Sequence, residues 1–96
     1  MKIGTAIKSI RKEKGISQKE LAEKCELSVN ALSQIETNSS FPHKNTIVNI
    51  ATALEVPVSY LLYFSITEAD VPVDKRILFN TLNTAIKTIL IDNFKK

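Results

Sequence analysis

SQKELAEKCELSVNALSQIE, residues Ser17 to Glu36, reads as two short helices separated by a tight turn. Ser17 can accept a backbone N–H as an N-cap, and Glu20, three residues on, can reach back to complete a capping box. Leu21 and Ala22 then face a core. The pattern pauses at Glu26–Leu27, and Ser28 restarts it as a second N-cap. Leu32 and Ile35 repeat at helical spacing, while Val29, Asn30, Ser33 and Gln34 fall outside that buried stripe.

Helices this short are marginal alone, since isolated helices below about 12–15 residues barely form in water. The flanking sequence supplies the missing core. Upstream, Ile3, Ile7 and Ile10 share one helical face, with Lys8, Arg11, Lys12 and Lys14 on the others, and Gly15 stops that helix. Downstream, Ile47, Ile50, Ala51 and Leu54 form a further stripe, opened by Pro42 and closed before Pro57. A fifth short helix is expected over residues 59–63, contributing Leu61 and Leu62. The sum is a compact all-α domain of five helices ending near Ser65. Its third helix, with amide and hydroxyl side chains on the open face, suits the edges of DNA bases.

The ordered set ISQKELAEKCELSVNALSQIE followed by FPHKNTIVNIATALEVPVSYLL resembles the Cro/C1-type (phage repressor-like, XRE) helix-turn-helix family over residues 3 to 64. The Gln after the first cap and the Ile-Glu closing the second helix make the match specific. The resemblance implies that the helix starting at Ser28 lies in the major groove with its N-terminal residues at base edges. Val29, Asn30 and Gln34 are then the base readers, with Ala31 and Ser33 as contributors. Asn30 and Gln34 can each pair with adenine N6 and N7, whereas Val29 suits a thymine methyl. Gln18 and Ser28 would reach phosphates, Ser28 while capping its helix. The resemblance also implies an ion pair between Arg11 and Glu36 that orients two helices. On side-chain chemistry alone, Gln18, Val29, Asn30 and Gln34 also fit ordinary surface residues.

Departures from the family pattern matter. Glu26 stands in the turn where Gly is usual, at a small steric cost if φ is positive there. Asn38 replaces another Gly, and Asn tolerates the left-handed conformation. Ser39 and Ser40 stand where basic residues often follow. Their hydroxyls and backbone N–H groups can bind phosphate, but without releasing counterions. Lys44, where an apolar residue is more usual, adds one charge. Asn38, Ser39, Ser40 and Lys44 complete the expected phosphate set.

Composition agrees with this reading. The 96 residues fit one domain with an appendage, and the formal charge is +3 with a pI of about 9.1, a mild bias suited to double-stranded DNA. Residues 1 to 24 hold seven Lys/Arg against three Glu, so the excess sits near the first two helices. No apolar run suits a membrane span and the N-terminus lacks a signal-peptide core, so a cytoplasmic protein is expected. Single Cys25 reads as a small buried hydrophobe. His43, the one histidine, reads as a cap or a phosphate neighbour. One His and one Cys supply neither a metal cluster nor a nucleophile–base pair, so we expect no enzyme, metal or cofactor.

Residues 1–66 thus form the DNA-binding domain, and 67–73, beginning TEADVP, read as a linker. Within the final segment, residues 74–96, Asp74 is expected to cap a helix running to about Asn93. Leu78, Leu82, Ala85 and Ile89 follow one seam, and Phe79, Leu82, Ile86 and Leu90 a neighbouring one. Together with Ile77, Ile91 and Phe94 they exceed the width of a helix lying only on its own domain. Packing on that domain alone is the rival reading. A helix shared with a twin makes the protein a homodimer, with Leu78, Phe79, Leu82, Ile86, Ile89 and Leu90 as dimerisation residues. Two recognition helices would then read a palindrome with half-sites about 34–36 Å apart. A phage repressor, a restriction–modification controller and an antitoxin share this architecture. RNA polymerase, through acidic Glu20, Glu23 and Glu26, or a toxin are further candidate partners. The alternative class is a protein-interaction module of the same fold with little or no DNA binding.

Overall fold

Ile3, Ile7 and Ile10 lie fully inside the first helix's buried face, and their spacing explains why it forms. The computed structural model describes residues 1–94; Lys95, Lys96 and the Phe94 side chain lie outside it. The helices are α1 (Ile3–Glu13), α2 (Gln18–Lys24), α3 (Val29–Glu36), α4 (Lys44–Leu54), α5 (Val58–Ser65) and α6 (Arg76–Phe94). No strand occurs among the described residues, and no single helix there is long and apolar enough to cross a membrane. The five-helix domain with its appended sixth helix is the architecture expected.

One core joins α1 to α5. Ile3, Ile7, Ile10, Leu21, Leu32, Ile50, Leu54 and Leu61 are its large members, and Cys25 is buried among them as a small apolar group. Burial pushes the Cys25 thiol pKa up. Ile47 is only half-buried. Leu62, expected inside, is exposed, because it points about 100° round α5 from the buried Leu61, and it lines a shallow groove with Phe41, Val48 and Val58.

Local signals set the helix ends. Ser17 Oγ accepts from Glu20 N at 3.0 Å and Glu20 Oε1 accepts from Ser17 N at 3.2 Å, the full capping box. These bonds, led by the one from the Ser17 backbone, hold the Glu20 carboxyl below its usual range. Ser28 Oγ accepts from Ala31 N at 3.0 Å to start α3. His43 sits at the N-cap position of α4 without a side-chain bond.

Four helices end in the same way. Beyond α1, α2, α3 and α4 stand Gly15, Glu26, Asn38 and Glu55, each with φ between 57 and 68°. The next N–H reaches back five residues in each case: Ile16 to Arg11 O, Leu27 to Ala22 O, Ser39 to Gln34 O and Val56 to Ala51 O. This is the Schellman closure, which satisfies otherwise orphaned carbonyls. Glu26 and Asn38 take the left-handed conformation anticipated for them. Glu55 does so unannounced.

The segment after α5 is more ordered than a plain linker. Glu68–Asp70 and Val73–Lys75 form 3-10 turns, and α6 begins only at Arg76. Asp74 lies inside the second turn rather than at its N-cap, the position Pro72 holds, and makes no cap bond there. Asp70 accepts from Thr67 N at 2.8 Å and from the Met1 amine at 2.7 Å, tying this stretch to the start of α1.

Candidate nucleic-acid interface

The position of α3 is set by contacts on its hidden side. Leu32, Ile35 and Glu36 are buried. Where α1 crosses it, Gly4 lies so near that an added Cβ would collide with the Ile35 carbonyl oxygen. Only glycine permits this approach. Asn38 fastens the same crossing: its Oδ1 accepts from Gly4 N and its Nδ2 donates to Thr5 Oγ1, both at 3.0 Å. Lys2, at the N-cap of α1, offers no capping oxygen, so Asn38 satisfies a donor in the first turn of α1 from across the fold.

A second fastening lies at the other face. Arg11 Nε donates to Glu36 Oε2 at 2.7 Å and Nη2 to Oε1 at 3.0 Å, a bidentate pair whose side chains are 10% and 2% exposed. Arg11 Nη1 donates to Ile16 O at 2.9 Å. Gln18 joins this cluster, donating from Nε2 to Glu36 Oε1 at 3.1 Å. The pair expected between Arg11 and Glu36 is therefore a three-residue cluster linking α1, α2 and α3.

With these contacts made, α3 turns Val29, Asn30 and Gln34 outwards, Val29 with 45% of its surface open. Ala31 and Ser33 are half-buried at the margin. Thr37, exposed and in line with Asn30 and Gln34, extends this face; the same spacing of four and three residues could have identified it. Its hydroxyl bonds Ser33 O at 3.0 Å, Gln34 O at 3.2 Å and the Ser39 hydroxyl at 3.0 Å.

The expected phosphate set divides. Ser28 is exposed at the start of α3, and Lys44 is exposed at the start of α4. Gln18 is half-buried with one amide hydrogen already engaged. The backbone N–H groups of Ser39 and Ser40 both go to Gln34 O, at 2.9 and 3.2 Å. Helix closure claims them first. The Asn38 amide is likewise engaged with α1. Among the described residues no group of three His, Cys, Asp or Glu side chains is placed to hold a metal ion.

Helix α6 packs beside α1 and the two 3-10 turns. Phe79, Asn83, Lys87, Leu90 and Ile91 are half-buried, and Lys87 Nζ stands 5.3 Å from the Phe64 ring centroid. Burial lowers the Lys87 pKa. Asn83 Oδ1 is buried with no hydrogen-bond partner among the described residues. On the other side Ile77, Leu78, Leu82 and Ile89 are 85%, 59%, 53% and 64% exposed, and Ile86 is exposed beside them. The two seams therefore separate: Phe79 and Leu90 turn inwards, the first seam outwards.

A pair of capped helices in fixed relation, the second open along its polar face, is a helix-turn-helix. The chain belongs to the Cro/C1-type helix-turn-helix family, matching "Helix-turn-helix" over residues 7–61. It is 40% identical over 62 residues to the immunity repressor protein of Bacillus phage phi105, covering 65% of this chain and 43% of that one. It is 42% identical over 57 residues to the HTH-type transcriptional regulator SutR of Escherichia coli (strain K12), covering 59% and 32%. With the HTH-type transcriptional regulator ImmR of Bacillus subtilis (strain 168) the identity is 30% over 89 residues, covering 93% and 68%. The chain thus spans less than half the length of the first two relatives. The crystal structure of the clp gene regulator ClgR from C. glutamicum superposes with a TM-score of 0.64 at 28% identity, over 66% of this chain and 82% of that one.

Proposed function

We propose that this chain is a sequence-specific DNA-binding repressor that acts as a homodimer on a palindromic operator. The observation that carries the reading is the open face of α3. Asn30 and Gln34 offer paired donor and acceptor groups one turn apart, the geometry that reads adenine in the major groove, and Val29 offers a thymine methyl contact. Ala31, Ser33 and Thr37 border that face. Ser28, Lys44, the Ser39 and Ser40 hydroxyls and the remaining Gln18 amide hydrogen are the groups that would hold the backbone. Few of these carry charge, so non-specific affinity should be weak for the family.

The case for a homodimer rests on α6. Its own-domain side holds Phe79, Leu90 and Ile91 together with Asn83 and Lys87, and its most exposed side is apolar as well. A helix facing solvent this way gains by burying that seam against another surface. Linking two domains raises occupancy of a two-site operator through effective concentration. The immunity repressor among the relatives supports repression, by occlusion of polymerase.

Selection of bound duplexes from a random pool tests the reading. A two-fold symmetric site should emerge, with half-site centres about one or two helical turns apart. A pool that returns no shared sequence would reject it in favour of an interaction module.

A further inference from the structure

We propose that α6 pairs with α6 of a second copy in an antiparallel sense, in a register set by six seam residues. The inference rests on the homodimer reading and specifies its geometry. Lys75, Leu78, Leu82, Ala85, Ile89 and Asp92 succeed one another at intervals of three, four, three, four and three residues, and all six are exposed. Lys75 closes the 3-10 turn that leads directly into α6 and the other five lie in α6; that alternation is the a/d seam of a short helix pair.

The seam is self-complementary only when one helix is reversed. Pairing each a position with a facing d position sets Leu78 opposite Ile89 of the second copy and Leu82 opposite Ala85. It sets Lys75 opposite Asp92 at both ends. A large side chain then meets a small one in the middle layers, filling them evenly. The parallel arrangement instead sets Lys75 on Lys75 and Asp92 on Asp92, and leaves an Ala85 layer underfilled. Phe79, Thr81, Ile86 and Thr88, which flank the middle of the seam, are uncharged, so charge enters only near its two ends. Antiparallel pairing also sends the two DNA-binding domains off opposite ends of the helix pair, apart from each other as two half-sites require.

Charge exchange on the full chain tests this. Dimer dissociation is measured by sedimentation at low salt for the unaltered protein, Lys75→Asp, Asp92→Lys and the double variant. Each single variant should weaken association about ten-fold by putting like charges together at both ends, and the double variant should restore it. Both positions are exposed, so folding is unaffected. In a Cys25→Ala background, L78C mixed with I89C should form mixed disulfides, while neither forms one with itself, because disulfides require Cα atoms within about 7 Å. A dimer in which L78C bridges to itself, or in which the charge variants bind equally, overturns the orientation and leaves the homodimer standing. A chain that stays monomeric at all concentrations overturns both.

Discussion

Glu36→Ala removes the acceptor at the centre of the cluster joining α1, α2 and α3. The Glu36 side chain is 2% exposed and that of Arg11 10%, and this burial decides the magnitude. An exposed ion pair contributes about 0–1 kcal/mol, whereas stranding one partner of a buried pair costs about 3–5 kcal/mol. Here the substitution leaves a guanidinium with only the Ile16 carbonyl and frees the Gln18 amide. Domain stabilities lie at about 5–15 kcal/mol, so the loss is a large share of the whole. At about 4–8 °C per kcal/mol for a domain of this size, the melting temperature followed by circular dichroism should fall by about 12 °C or more. Replacing both members, as Arg11→Met with Glu36→Leu, should return most of the loss, since the desolvated charge is then absent. A fall in Glu36→Ala of less than about 4 °C, the surface-pair value, would refute the reasoning.

Other substitutions probe the remaining fastenings. Gly4→Ala forces α1 away from the Ile35 carbonyl and should cost about 1–3 kcal/mol, read from the denaturant midpoint; an unchanged midpoint would mean the crossing is looser than described. Glu26→Gly and Glu55→Gly relieve left-handed strain of about 1–2 kcal/mol, partly offset by unfolded-chain entropy, so each should stabilise modestly. Asn38→Gly should instead destabilise, because it loses the bonds to Gly4 and Thr5. The Glu20 carboxyl, held below its usual range by Ser17, gives stability that is fully present above the unfolded pKa and fades as pH falls through the folded value. Ser17→Ala removes the Oγ that accepts from Glu20 N and should cost about 1 kcal/mol, read from the denaturant midpoint; an unchanged midpoint would contradict the cap.

What the sequence made legible was local chemistry. Caps at Ser17 and Ser28, the stop at Gly15 and the isoleucine stripe of α1 each depend on residues a few positions apart, and all appear where expected. The outward face of α3 followed from the same periodicity. Contacts that depend on how helices cross were hidden. Nothing in Asn38 alone indicates that its amide reaches Gly4 and Thr5, or in Gln18 that it donates to Glu36. Glu55 carried no turn signal because its left-handed backbone follows from closing α4, and glutamate has no preference for it. The α6 seams illustrate both sides: spacing identified two, but only packing beside α1 separates the inner Phe79 and Leu90 from the outer Leu78 and Ile89.

The central claim is that the open face of α3 distinguishes bases. Titration of N30A/Q34A and the unaltered chain against a selected duplex and a random one tests it most directly. Each amide should be worth about 1–3 kcal/mol of discrimination, so the variant should lose most of its preference for the selected duplex while binding the random one as before. Equal losses on both duplexes, or none on either, would contradict the claim.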